Sequence, residues 1–339
     1  MLHRRNLGIL ATALAITIGA SAPSATGSLA QPAGRAAPPA VTGYILEGSS
    51  DRIVDRDAAA LTTLGVADLT LAPSGKGVTA PSAQALRLLG TAHDHGVRAE
   101  PLFSNWSNRL GAFDTRAVSR LLRHEGRVRR VAARLASYVS DQGWDGLNVD
   151  LERLRPADGP GLVLLLRELQ TRMPVERTVS VDLSASTSVR GYRALGYRLG
   201  PLGQVADTVV LMAYDQHGAG WSGPGPVGAL TWQRRALAAL TTKVPMSKVD
   251  LGVAGYGYTW PRNRTGHMVT LEGARRLVRE DGARAVWKAR PGEWTARLSN
   301  GTVLWWSDGR SYDLRHDLAV RRGTHGLALW RLGSADALR

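Results

Sequence analysis

The eight residues Asp145-Gly-Leu-Asn-Val-Asp-Leu-Glu152 impose the tightest constraint on how this 339-residue chain folds. Side chains at i and i+2 of a β-strand share a face, about 7 Å apart along it. Asn148, Asp150 and Glu152 therefore line one polar file, and Leu147, Val149 and Leu151 face the other way. Such a strand does not fit an ordinary core packed on both faces. It fits a barrel strand whose inner end opens into a site. Acids at a strand end also cap helices or pair with arginines, so their neighbours must decide between structure and chemistry.

The remaining periodicity predicts those neighbours. Short apolar strands are expected at 41–46, 66–71, 97–103, 146–152, 178–183, 207–214, 249–256 and 326–331. Helical patterns lie between most of them, at 82–93, 115–140, 159–173, 189–199, 229–240 and 312–321. Strands joined by helical crossovers in this number predict an α/β fold, a (β/α)₈ barrel. A doubly wound open sheet is the alternative, but no G-x-G-x-x-G follows any strand. One connection, about 259–308, breaks the pattern with a helical piece at 271–280 and an Asn300-Gly301 hairpin signal between 294–298 and 303–306. It reads as a small α+β insertion after the seventh strand, on the rim of the barrel.

The N-terminus reads as a secretory signal, 1–30: His3, Arg4 and Arg5 precede an apolar run from Leu7 to Ile18 that is short for a membrane span. An Ala/Pro-rich linker, 31–40, leads into the barrel domain, 41–339, so the product is expected outside the cell or on its wall. The chain has no cysteine, which excludes thiol nucleophiles, disulfides and Cys-based zinc sites. Its eight histidines form no H-E-x-x-H pair, and His93 and His95 read as a helix end, so neither a metal nor a cofactor is expected. A formal charge of +15 speaks to partners. No nucleic-acid motif or aromatic-interleaved basic stripe accompanies it, and an anionic cell wall is the better match for an exported monomer.

Catalytic groups of such barrels sit at the C-terminal ends of strands. Glu152 ends the fourth strand, Tyr214 and Asp215 the sixth, Tyr256 and Tyr258 follow the seventh, and Trp330 closes the eighth. Carboxylates and aromatic rings, without a nucleotide loop, suit a carbohydrate: rings stack on sugars while acids handle the glycosidic proton. A G-x-S-x-G elbow is absent, since Gly220-Trp-Ser-Gly-Pro224 lacks the last glycine.

The octapeptide resembles the D-G-x-D-x-D-x-E signature of glycoside hydrolase family 18, the chitinase family. Leu211-Met-Ala-Tyr-Asp215 is similar to the family's M-x-Y-D strand, and Leu329-Trp-Arg-Leu-Gly333 to its closing tryptophan strand. Tyr214-Asp-Gln-His-Gly218 and Phe103-Ser-Asn-Trp106 look closer to the bacterial branch of spore-cortex and cell-wall glucosaminidases. The resemblance implies substrate-assisted retaining catalysis, in which the sugar's own 2-acetamido oxygen attacks the anomeric carbon. Glu152 would then be the general acid and later the base, Asp150 would hold the acetamido N–H, and Tyr214 would donate to the acetamido oxygen. Asp215 and Tyr256 would support the sugar, Trp330 would floor the subsite and Met212 would pack beneath. Asp145 has the opposite parity and is expected to be structural. Like charge on Asp150 should raise the pKa of Glu152.

Two departures mark the subfamily. Position 148 is Asn where chitinases usually carry Asp, removing a proton-sharing partner for Asp150, and Ser104-Asn105-Trp106 replaces the S-x-G-G strand motif. Asn105 is expected to take over support of the lower pocket. These marks favour peptidoglycan over chitin as the N-acetylglucosamine-containing substrate. A third reading is a silent sugar-binding barrel, which typically lacks the acid that Glu152 supplies here.

Overall fold

The structure, a computed structural model, describes residues 38–263 and 265–339. The expected export signal and residues 31–37 of the linker lie outside them. Eight parallel strands close on themselves: β1 (Ala40–Leu46), β2 (Thr63–Thr70), β3 (Arg98–Ser104), β4 (Gly146–Asp150), β5 (Thr178–Ser184), β6 (Thr208–Met212), β7 (Val249–Ala254) and β8 (Gly326–Trp330). Each pairs with the next, and β8 returns to β1 through the Val41–Leu327 register. The expected (β/α)₈ barrel is the fold, and every expected strand is present.

Outward positions such as Leu147, Val149, Val179, Val181, Val209 and Leu211 are all but inaccessible beneath the helices. The strands end earlier than periodicity alone suggests. β3 stops at Ser104, whose partner is Asp150, so no ladder remains on that side for Leu151 and Glu152. Glu152 therefore lies just past its strand, and Tyr214 and Tyr256 do likewise past β6 and β7. Two long helical patterns are broken. The 115–140 pattern forms Thr115–Leu122 and Glu125–Gln142, separated where His124 is extended. At that turn the Leu122 carbonyl sits where a Cβ on Gly161 would be, so only glycine lets the Gly159–Arg172 helix approach. The 189–199 pattern splits into Val189–Ala194 and Leu199–Val205 around Gly196, whose φ of 89° suits glycine. No helix among the described residues is long and apolar enough to cross a membrane.

The insertion is an antiparallel sheet of Gly257–Trp260, Met268–Val269, Val286–Lys288, Glu293–Arg297 and Val303–Trp306, with the helix Leu271–Asp281 on one face. Leu271, Ala274, Leu304 and Trp306 build a core of its own. Arg315, from the helix Gly309–Arg322 before β8, fastens it to the barrel. Its guanidinium, 1% exposed, donates to the carbonyls of Gly292 and Gly228, each at 2.6 Å, and to Gln233 Oε1 at 3.0 Å. It also pairs with the buried Glu293 at 3.4 Å. Glu293 in turn accepts the Val227 and Gly228 N–H groups at 2.7 and 2.8 Å, pinning the loop that follows β6.

Removing one member of a buried ion pair strands the other charge. Arg315→Ala is expected to lower stability by about 3–5 kcal/mol in urea unfolding. Arg321→Ala, which removes an exposed ion pair with Asp317, should cost at most about 1 kcal/mol.

Candidate active site

Glu152 has no strand ladder to hold it, and Asn105 supplies the substitute. Asn105 directly follows β3 and is 1% exposed. Its Oδ1 accepts the Glu152 N–H at 2.8 Å, and its Nδ2 donates to the Glu152 carbonyl at 3.1 Å. A planar amide bonded to both polar groups of one residue fixes that residue's main chain. Arg153, at φ 55°, then turns the chain away. Asn105, expected in the lower pocket, thus spends its amide on positioning Glu152 rather than on the pocket wall.

Asp150, 7% exposed, accepts a long bond from Ser104 Oγ at 3.4 Å through Oδ2, while its Oδ1 is buried without a partner. Asn148, 1% exposed, donates through Nδ2 to Ser180 Oγ at 2.9 Å and to Asp182 Oδ1 at 2.7 Å. The octapeptide's polar file therefore continues sideways into β5. Asp182 and Ser180 had not been singled out from the sequence. The signal was there: Thr178-Val-Ser-Val-Asp-Leu-Ser184 alternates polar and apolar as the octapeptide does.

Across the mouth, Asp215 sits at φ 57° and receives two phenols on one oxygen, Tyr256 Oη at 2.5 Å and Tyr258 Oη at 2.9 Å. Tyr214 meets Tyr256 edge-on, with centroids 6.3 Å apart. Half-buried Trp330 packs both on this aromatic group and on the inner cluster of Tyr44, Leu102, Val210 and Ala328, and its ring lies 5.7 Å from Tyr44. Met212 ends β6, 8% exposed, two residues before Tyr214. Tyr258 joins the set through Asp215, a role that its position after β7 foreshadowed. Asp145 is at the opposite end of β4, where it accepts from the Ala99 N–H at 2.9 Å and pairs with His93 and Arg177 at 2.8 and 3.0 Å. That is the structural part expected of it, and His93 lies in the last turn of its helix, as expected.

Burial dominates the electrostatics. Enclosure pushes the Asp150 carboxyl up to about 7, against the small opposing effect of the Ser104 hydroxyl. Glu152 is raised well above the ordinary carboxylate range, first by burial of its carboxyl and then by the charges of Asp150, Asp215 and Asp182. The influence expected of Asp150 acts in this direction and ranks second to desolvation. Tyr214 is raised as well, by burial and then by the surrounding acids, and stays a hydrogen-bond donor.

A carboxylic acid whose pKa burial raises, beside aromatic rings at the mouth of a (β/α)₈ barrel, is equipped for glycosidic bond cleavage. Known proteins agree with that class. The profile described as "Glycosyl hydrolases family 18" matches residues 87–335, and the chain belongs to this family. The protein is a glycoside hydrolase. The cortical fragment-lytic enzyme of Bacillus anthracis is 24% identical over 238 residues, 66% of this chain and 54% of that one. This chain thus spans about half the length of that curated relative. Among solved structures, the Bacillus cereus spore cortex-lytic enzyme SleL superposes with a TM-score of 0.78 at 20% identity, covering 87% of this chain and 71% of that one. A chitinase from Chromobacterium violaceum ATCC 12472 gives 0.79 at 23% identity, covering 88% and 95%. At such identities the two structures support the fold.

The raised groups predict the pH dependence. The acid role for Glu152 and the carboxylate role for Asp150 that the resemblance implies predict that kcat/KM rises through about pH 7 and falls again as Glu152 loses its proton. A profile with no alkaline fall would remove Glu152 from the role of acid.

Proposed function

We propose that the protein is a secreted glycosidase that hydrolyses β-linked N-acetylglucosamine in peptidoglycan with retention and substrate assistance. The observation that carries the mechanism is Asp150 Oδ1, a buried acceptor without a donor. A buried acceptor left unpaired costs about 1–3 kcal/mol, and an acetamido N–H of the substrate supplies the missing partner. The acetamido oxygen is then turned to the anomeric carbon. Glu152 gives its proton to the leaving glycosidic oxygen as the acetamido oxygen forms the new bond to carbon. The resulting oxazolinium is stabilised by the Asp150 carboxylate at nitrogen and by the Tyr214 hydroxyl at oxygen. Glu152, now a carboxylate, takes a proton from water as that water opens the ring, and the starting configuration returns. Asp215 is engaged by two phenols, which leaves it a support for the sugar and not a second nucleophile.

Three features support a wall substrate. Asn148 departs from the acid usual in chitinases, and relatives from spore-forming bacilli are named for cortex lysis. In addition, Arg284, Lys288 and Arg297 line a groove on the insertion's outer sheet face, and none of them is ion-paired among the described residues. Together with a formal charge of +15, this face suits the anionic polymers of a wall. The basic, apolar N-terminal segment supports export.

Digestion of purified peptidoglycan and of chitin oligomers, read by mass analysis of the products, tests the substrate. Release of N-acetylglucosamine-ended fragments from peptidoglycan is expected, and cleavage of chitin oligomers alone would replace it with the chitinase reading. Glu152→Gln should lower release by about 10² to 10⁴. Unchanged rates would refute the acid, and a wild type that binds sugar without cutting would support the sugar-binding reading.

A further inference from the structure

Asp182 is a buried carboxyl that the mechanism above leaves without a task. β4 and β5 pair with Asn148 opposite Ser180 and Val149 opposite Val181, which brings Asp150 level with Asp182. Adjacent strands lie about 4.8 Å apart, and both side chains face the lumen at the same height. Asp150 is 7% exposed and Asp182 is 3% exposed. We propose that Asp182 is a positioning residue, the carboxyl with which Asp150 shares a proton, so that β5 provides the partner that Asn148 no longer can. The proposal rests on the acetamide-holding role of Asp150 given above.

The hydrogen bonds assign the proton. Asn148 Nδ2 donates to Asp182 Oδ1 and to Ser180 Oγ, which turns both amide hydrogens toward β5. Its own Oδ1 is then left buried and unpartnered, as is Asp150 Oδ1. Asp182 Oδ1 thus accepts, and Oδ2 is the atom on which a proton can reside.

The surroundings favour retaining it. Asp150 faces Asp182 from β4, Glu100 from β3 and Asp250 from β7, and Asp182 also acts on Tyr44, Tyr214 and Glu152. The nearest cations act elsewhere: Arg98 on Glu100, His325 on Asp250 and Arg153 on Glu152. Burial first, and then the Asp150 charge, hold Asp182 well above the carboxylate range. Two like charges this close and this dry do not both form at neutral pH. With the proton held on Asp182 Oδ2, Asp150 stays a full carboxylate at the acetamido nitrogen as the oxazolinium develops. The pair keeps its proton through hydrolysis of the intermediate, so none is consumed.

The pair also acts on Glu152. Once Asp182 ionises at high pH, its charge raises the Glu152 pKa further and extends the alkaline side of the activity profile. Asp182→Asn is expected to move the alkaline limb of kcat/KM to lower pH, on the order of one pH unit, with the acid limb little changed. The exchange variant Asn148→Asp/Asp182→Asn, which returns the second carboxyl to β4, should move that limb back toward the wild type. A merely structural Asp182 would leave the limb of Asp182→Asn in place, and an exchange variant with the limb of Asp182→Asn would overturn the pairing.

Stability gives a readout that needs no substrate. Because the pair's pKa values are raised on folding, the folded state binds extra protons, and stability falls as pH rises from the unfolded carboxylate range through the folded values. Asp182→Asn should make this fall smaller, and an equal fall counts against the proposal. Carboxyl-carbon NMR titration of aspartate-labelled wild-type protein covers the case in which the variants do not fold. One step near 7 and a second well above the ordinary aspartate range support the pair; two steps in the ordinary aspartate range refute it. These two measurements stand or fall apart from any result with peptidoglycan.

Discussion

Closing a parallel barrel encloses one face of every strand, and in this protein that enclosed face carries acids with almost no cations among them. Glu100, Asp150, Asp182 and Asp250 are each at most 8% exposed. An isolated buried carboxylate is costly, so such groups are hydrogen-bonded or keep their protons. Hydroxyls and an imidazole take up the first option: Thr178 Oγ1 and Ser180 Oγ donate to Glu100 at 2.5 and 3.3 Å, and His325 pairs with Asp250 at 2.7 Å. Proton retention takes up the rest, and the acid role proposed for Glu152 depends on it. Burial and the charges of Asp150, Asp215 and Asp182 raise the pKa of Glu152, as that proposed role requires.

The mouth is rigid for a different reason. Glu152, Tyr214 and Tyr256 each lie two residues beyond their strands and Asp215 three, where ladder hydrogen bonds have run out. The structure replaces them with side-chain clamps: the Asn105 amide on the Glu152 main chain, two phenols on Asp215, and Glu293 on the loop after β6. Glu293 is itself held by Arg315, so the insertion and the helix before β8 are coupled to the loop that follows Tyr214 and Asp215. The insertion fixes the edge of the site.

Much of this was legible along the chain. The eight strands follow from apolar runs separated by helical periodicity, and the octapeptide's parity separates inward Asn148 and Asp150 from the apolar side of β4. The structural assignment of Asp145 followed from that same parity. Strand ends and helix breaks were less legible, because they depend on neighbours. β4 stops where β3 does, and the turn at Leu122 is set by the closeness that Gly161 allows. Asn105 shows the limit most clearly. Its position after β3 marked it as a site residue, but only its distances to Glu152 reveal that it holds a backbone.

By itself the sequence determined the barrel, its family, the acid pair and the aromatic strand ends, because periodicity and local motif are properties of consecutive residues. Only the tertiary structure decided what surrounds those acids. The Asn148 to Asp182 bond joins residues on different strands, and the Arg315 to Glu293 pair joins helix to insertion. Desolvation, which raises Glu152 and Asp150 alike, and the like charges that add to it at Glu152 are sums over such neighbours in space. No run of consecutive residues encodes that sum, and it exists only when the barrel has closed.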